Sequence, residues 1–456
     1  MEPTQLAILA QWSGGSLLAG DPAAEATSVC TDSRSLKAGD LFVALVGANF
    51  DGHTFVEEAA RRGALGAIVD RPIANLPSDF PVLQVTDTLT GLQQIAAGYR
   101  RSLPARIVCL TGSNGKTSTK DLASAVLRER YQVTKTEGNL NNHIGLPITM
   151  LRLRAGDGVG VLEIGMNHPG EIAPLAALAL PDVAIITNVG IAHIEHMGSR
   201  EAIAQEKGML AEALSPSGTV ILNADDEFTP SIAARTKADV LRCGLGEGAD
   251  IRAVDLRQDF AGMKFRVEAF GRTTEAQIPV PGIHMVQNAT LAIGAGHVFG
   301  MSIEESVAGL PNLQLTKGRL EMKVVRGIQV LDDSYNANPD SMKAALLTLA
   351  QMSTNGRRVA VLGRMGELGP EAERGHRGVG QTASDLGVDC VISVGSEAAW
   401  IAEEAWRGGI AKVIKTGDSA EAVKVLRELV HAGDLVLVKG SRSAKMEHIV
   451  EGLAAL

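Results

Sequence analysis

At 456 residues the chain is too long for one ordinary core, so roughly two to four domains are expected. A formal net charge of −9 argues against nucleic acid or an anionic membrane surface as the main partner, and an anionic substrate would have to be held by local lysines and arginines. The 45% hydrophobic content, with 50 glycines and only 3% aromatics, fits a soluble, loop-rich α/β enzyme. Cys30, Cys109, Cys243 and Cys390 lie far apart with no Cys-x-x-Cys pair, which suits a reducing, cytoplasmic setting. Met1-Glu-Pro-Thr4 opens no signal-type segment. The most apolar region, Pro174 to Ile194, is broken by Pro181, Asp182 and Asn188, so no membrane span is expected.

Residues 1–105 read as a small α/β domain, with strands at Asp40–Val46, Ala67–Val69 and Val82–Val85 and a helix at Thr54–Arg62. The polar stretches Thr31-Asp-Ser-Arg34 and Gly47-Ala-Asn-Phe-Asp-Gly-His53 are ordinary turn chemistry by themselves. Arg101–Ala105, with Pro104, reads as a linker.

A second domain, 106–315, opens on a phosphate cradle. Ile107–Leu110 forms a short buried strand, Thr111-Gly-Ser-Asn-Gly-Lys-Thr117 a glycine loop, and the following stretch to about Arg130 a helix with Leu122, Val126 and Leu127 on one face. Gly112 and Gly115 let backbone N–H groups turn toward an anion, aided by the helix N-terminus. Lys116 would reach the β- and γ-phosphates of a nucleotide, and the Thr117 hydroxyl would sit on Mg²⁺. The spacing is shorter than a Walker A loop, which wants glycine where Leu110 stands. Further buried strands are expected at Gly160–Gly165, Asp182–Asn188 and Gly218–Asn223, each ending in polar residues or glycine where ligand groups gather in parallel sheets. The alternation at Lys264–Glu268 predicts an antiparallel flank between about Ile251 and Val280. Helices follow at Arg200–Leu214 and His284–Gly296.

From about Lys317 a new βαβ series begins, giving a third domain, 316–456. Its strands are expected at Gln329–Leu331, Val359–Leu362, Cys390–Ser393 and Leu435–Val438, and its main helices at Ser341–Gln351 and Ala420–Val430.

Several side chains exceed what folding needs. Glu163 ends a buried strand, where an unpaired carboxylate costs roughly several kcal/mol, and beside a phosphate loop metal contact is favoured over a salt bridge. His193 and His196 flank Glu195 after another strand, and one of them is as apt to touch metal or phosphate as to be structural. Lys207, on a helix, reads by default as a solvated surface charge. In Asp332-Asp333-Ser-Tyr-Asn-Ala-Asn-Pro339, Asn338 or Asp340 suffices to cap the next helix, so the remaining polar groups point to a site. Arg319 could add a cation for a transferred phosphate.

Together these residues resemble the Mur ligase family of ATP-dependent amide-bond-forming enzymes. The shortened loop Thr111–Thr117 fits the family form, and Glu163, His193, Lys207, the helix bearing His284 and Asn288, and Arg319 follow in the family's order. Within the family, Asp333–Pro339, Leu362-Gly-Arg-Met-Gly-Glu-Leu-Gly369 and Val438-Lys-Gly-Ser-Arg-Ser443 are similar to members that add D-alanyl-D-alanine. The resemblance implies a three-domain α/β fold: a small N-terminal domain, a central phosphate-loop domain with a mainly parallel sheet, and a Rossmann-like C-terminal domain. It implies ATP and Mg²⁺ as cofactors, a UDP-muramoyl tripeptide and D-alanyl-D-alanine as substrates, and a cytoplasmic monomer. ATP would be held by Gly112, Ser113, Asn114, Gly115, Lys116, Thr117 and Ser118, with Asn288 near the adenine, Asp333 near the ribose and Arg319 at the phosphates. Lys116, Glu163, His193, Lys207 and Arg319 would be the catalytic set. Thr117, Glu163, His193 and a carbamylated Lys207 would hold the metal. Ser33, Arg34, Gly47, Asn49, His53, Asn139 and Asn142 are implied for the uridine nucleotide, and Asn336, Asn338, Arg364 and Ser441 for the dipeptide.

Overall fold

The computed structural model describes residues 1–259 and 261–455. Three sheets follow one another along the chain. The first has five strands in the order Ser16–Ala19, Val82–Gln84, Gly66–Val69, Leu41–Val43, Val29–Cys30, parallel except for Ser16–Ala19. The expected Asp40–Val46 strand is shorter than its apolar run, because Val46–Gly47 leaves the sheet to pair with Phe50–Asp51 in a hairpin. The helix expected at Thr54–Arg62 begins instead with a 3₁₀ turn, Gly52–Phe55, and continues as Val56–Arg61.

A helix at Thr88–Ser102 has no counterpart in the sequence reading. Asp87 caps it by accepting the Thr90 N–H at 2.7 Å, and Leu92, Ile95, Ala96 and Tyr99 are its buried face. Gly91, Gly98 and two glutamines dilute that apolar pattern. Gly98 is required by packing, since a Cβ there would lie 2.4 Å from the Trp12 ring. The helix takes up the first half of the expected linker and stops where Leu103 is held extended by the following proline.

The middle sheet has nine strands, in the order Val133–Lys135, Val159–Glu163, Arg106–Thr111, Val183–Ile186, Thr219–Asn223, Asp239–Gly244, Ile251–Asp259, Gly262–Ala269, Arg272–Ile278. The first seven pair in parallel and the last three form an antiparallel flank. The two patterns have different causes. Val159–Glu163 and Val183–Ile186 are covered on both faces and buried throughout, whereas Ile251–Asp259 and Gly262–Ala269 alternate because one face meets solvent.

The last sheet has six strands, in the order Glu321–Val325, Ile328–Asp333, Leu435–Lys439, Arg358–Gly363, Cys390–Val394, Lys412–Thr416, with only the first antiparallel to its neighbour. One apolar cluster joins this sheet's layer to the middle sheet's, and another joins the middle layer to the first. No helix among the described residues is long and apolar enough to cross a membrane.

Tyr99 is the polar bolt between the first two layers. Its buried hydroxyl donates to the Leu153 carbonyl at 2.6 Å and accepts the Glu2 N–H at 2.7 Å. Tyr99→Phe should lower stability by about 1–3 kcal/mol, because both partners lose their bond in a buried setting. An unchanged denaturation midpoint would show that this hydroxyl contributes nothing to the junction.

Candidate active site

The glycine loop lies at the C-terminal end of strand Arg106–Thr111, in the middle of the largest sheet. Its two glycines cannot be replaced. A Cβ at Gly112 would fall 1.8 Å from Thr187 Oγ1, and Gly115, at φ 78°, would drive one to 2.6 Å from Asn288 Oδ1. The next strand end straps the loop in place: Ser113 N donates to Asn188 O and Asn114 N to Asn188 Oδ1, both at 2.9 Å, while Thr187 Oγ1 donates to Asn114 O at 2.5 Å. Lys116 folds back so that Nζ donates to the Gly112 carbonyl at 2.7 Å. The buried hydroxyls of Thr111 and Ser113 have no partner, so the loop, held through its backbone, leaves donors unused.

Behind the loop, Thr117 Oγ1 donates to Glu163 Oε2 at 3.0 Å. Asn141 Nδ2 donates to the other carboxylate oxygen at 2.9 Å, which fixes the plane of Glu163. A hydroxyl and a carboxylate so close are oxygen ligands suited to Mg²⁺. Lys207 is 1% exposed, so the default of a solvated surface lysine is wrong. Burial, and secondarily the charge of Lys116, push its pKa well down. As an ammonium it does not suit a cation's shell; as a carbamate, carrying oxygens, it does. His193 sits in the left-handed region at φ 63°, and its Nδ1 pairs with Glu367 of the last sheet's layer, leaving Nε2 as the ring's other ligand atom. His193 is the first cause of the lowered Glu367 pKa. His196 is exposed and packs against His168, the rings tilted at 35° with centroids 4.5 Å apart.

A cavity of about 410 Å³ lies between the middle and last layers, and Gly115, Asn288, Arg319, Asp333 and Lys439 contribute to its wall. Arg319 lies over the Tyr335 ring at 4.2 Å and directs Nη2 toward Thr117 Oγ1 at 3.4 Å. Lys439 is buried between Asp333 Oδ2, at 2.5 Å, and the Asn336 carbonyl, at 3.1 Å; burial lowers its pKa against the pull of Asp333. Two contacts close the cleft beside the phosphate loop. Asn338 Nδ2 donates to Asn114 Oδ1 at 2.7 Å, and Ile191 N donates to Asp340 Oδ2 at 3.1 Å.

The middle of the chain, residues 110–296, matches the family model of the Mur ligase middle domain. Residues 318–442 match that of the Mur ligase glutamate ligase domain, and 25–100 that of the Mur ligase family catalytic domain. A Bacillus subtilis (strain 168) protein named UDP-N-acetylmuramoyl-tripeptide–D-alanyl-D-alanine ligase is 40% identical over 93% of this chain and 92% of its own. The chain belongs to the Mur ligase family. The crystal structure of MurF from Acinetobacter baumannii superposes on this Mur ligase over 100% of both chains, with a TM-score of 0.91 at 33% identity. MurF from Thermotoga maritima, solved in complex with ADP, gives 0.84 at 29%, covering 94% of this chain and 97% of its own.

The fold brings together some of the remaining candidates and separates others. Arg364 and Ser441 meet at the ends of adjacent strands of this Mur ligase, where Ser441 N donates to Arg364 O at 2.9 Å. Asn338 is already engaged, since besides bonding Asn114 it caps helix Pro339–Gln351 through the Ser341 N–H. Asn336 accepts the Ala337 N–H. Ser33, Arg34, Gly47, Asn49, His53, Asn139 and Asn142 lie outside the wall of the cavity. Arg34 is exposed and forks onto Asp32, and the Ser33 carbonyl accepts from Arg62. Both nitrogens of the buried His53 are occupied, by Asp51 Oδ1 and the Asp70 N–H, so it braces the loop instead of facing a ligand. Asn142 caps a helix through the Ile144 and Gly145 N–H groups. Asn141, Asn188 and Glu367 escaped the sequence reading as site residues. Their neighbours in the same motifs stood out, but pairing with Glu163, Asn114 and His193 exists only after folding.

His284, half-buried at the cavity edge, has its pKa lowered from 6.5 to about 4 by loss of solvation, opposed by Asp333 and reinforced by Lys439. A histidine whose folded pKa is depressed leaves stability unaffected above pH 6.5. The folded state then loses stability as pH falls toward 4, where the unfolded chain binds the proton first. That loss is at most about 3 kcal/mol. His284→Gln should flatten the difference in denaturation midpoint between pH 7 and 4.5; an unaltered slope would assign it to other groups.

Proposed function

We propose that this chain is an ATP-dependent, ADP-forming ligase that joins D-alanyl-D-alanine to UDP-N-acetylmuramoyl-tripeptide, giving the pentapeptide precursor of peptidoglycan. What carries the reading is a phosphate loop facing Arg319, Asp333 and Lys439 across one cavity, in a chain similar over nearly its whole length to a protein bearing that ligase's name. Residues 1–105 take the uridine nucleotide, with Ser33, Arg34, Gly47 and Asn49 as contacts, supported by Asn139 of the middle segment. Residues 106–315 take ATP. Residues 316–456 complete the ATP site and take the dipeptide near Asn336, Arg364 and Ser441. The enzyme works in the cytoplasm as a monomer.

A terminal carboxylate oxygen of the tripeptide attacks the γ-phosphorus of ATP, and the bond to ADP breaks with its electron pair leaving on ADP. The acyl phosphate so formed turns an unreactive carboxylate into an acyl donor. The neutral amine of D-alanyl-D-alanine attacks the carbonyl carbon and loses a proton to solvent. The tetrahedral adduct then expels inorganic phosphate and leaves the amide. Lys116, released from the Gly112 carbonyl, and Arg319 donate to the transferred phosphoryl oxygens. Ser113 to Ser118 orient the phosphates, with Asn288 and Asp333 at the adenosine end. Mg²⁺ would be held by Thr117, Glu163, His193 and carbamylated Lys207, and would there neutralise phosphate charge. Burial, by lowering the Lys207 pKa, favours the free amine that carbamylation needs: nitrogen bonds to carbon dioxide and a proton leaves.

Two measurements test this reading. Phosphate release from Mg-ATP should require both the muramoyl tripeptide and D-alanyl-D-alanine and yield a product of pentapeptide mass; turnover without the dipeptide would make the protein a kinase or a nucleotide switch instead. Protein equilibrated with ¹³C-bicarbonate should display a carbamate carbon resonance that Lys207→Met lacks, and an equal signal in both would remove Lys207 from the metal set.

A further inference from the structure

The chain leaves the helices of the middle layer and enters the last sheet through residues 313–320, which form neither helix nor strand. Arg319 stands at the end of this connection, and its reach to Thr117 depends on where the connection lies. One buried carboxylate governs that. Asp121, on the phosphate-loop helix Lys116–Leu127, has a fully buried side chain. Its Oδ2 accepts both the backbone N–H and the hydroxyl of Thr316, each at 2.9 Å. Its Oδ1 is held by Lys135 at 2.5 Å, with Lys120 at 3.5 Å. Thr117 and Asp121 are four residues apart, hence on the same face of the helix. That face grips the connection twice, at Thr316 through Asp121 and at Arg319 through Thr117. Between these grips Gly318, at φ 71°, turns the chain, and its carbonyl accepts the Tyr335 N–H at 3.1 Å.

A carboxylate buried in a helix interior is costly unless paired. Asp121 spends one oxygen on two lysines of the middle layer and the other wholly on the crossing chain. Folding of the middle domain alone would be served by the lysine pairs; the two hydrogen bonds from Thr316 serve the junction. We propose that Asp121 is a positioning residue: through Thr316 it sets the start of the last domain so that Arg319 reaches the phosphate loop. The effect on turnover rests on the ligase reading above, whereas the anchoring itself does not.

The test uses the full chain with Asp121→Asn, Thr316→Val, Thr316→Ser and Arg319→Ala, singly and combined. In wild type the Thr316 amide should exchange slowly with deuterium. Asp121→Asn should speed it at least tenfold while strand Arg106–Thr111 keeps its protection. Unchanged exchange at Thr316, or loss of protection throughout, overturns the anchor. For turnover, Asp121→Asn and Thr316→Val should each lower kcat at least fivefold with ADP affinity within twofold of wild type, and Thr316→Ser should restore it. Arg319→Ala added to Asp121→Asn should cost much less than it does in wild type, because both remove one function. Multiplying losses, or an ADP affinity that falls in step with kcat, would make Asp121 merely structural. Should wild type anchor Thr316 as described yet fail to ligate, the proposed function falls and the anchor stands.

Discussion

The site depends on positive charge held out of water. Lys116 and Lys439 are both depressed in pKa by burial. Only Lys439 has a carboxylate within direct bonding distance among these contacts, through Asp333. Such an arrangement is poorly compensated by the protein alone and improves when an anion enters. Rigid loop donors, buried unpartnered hydroxyls and desolvated lysines are therefore one design: a cradle whose missing charge arrives with the ligand.

Rigidity comes from the strand ends. Thr187 and Asn188 terminate the strand next to the loop's own and hold it by side chain and carbonyl. The two glycines let the backbones approach this closely. The same parallel arrangement in the last sheet puts Asp333, Arg364 and Lys439 at the C-terminal ends of three adjacent strands, so the two crevices face each other. Beside the phosphate loop the contacts across the gap, Asn338 to Asn114, Asp340 to Ile191 and Glu367 to His193, are polar, while an apolar cluster joins the two layers behind it.

The polar residues near the cleft divide into those that build it and those free to bind. Asn338 shows how a single amide does both, capping a helix with its oxygen and bridging to the phosphate loop with its nitrogen. His53 shows the opposite outcome for a residue that stands out in a loop: both its nitrogens are spent within the first domain.

Much was legible in the chain itself. Short apolar runs ending in glycine or polar residues disclosed the parallel strands, strict alternation disclosed the antiparallel flank, and the glycine loop between strand and helix disclosed the phosphate cradle. These are local signals, written in spacing. Thr88–Ser102 escaped because its buried face includes Gly98, which lies against Trp12, a partner distant in sequence. Burial of Lys207 and the pairings Asn141–Glu163, Glu367–His193 and Asp121–Thr316 were decided by tertiary structure alone. Each joins residues at least twenty positions apart, and a charge's solvation or partner is fixed only when the layers pack.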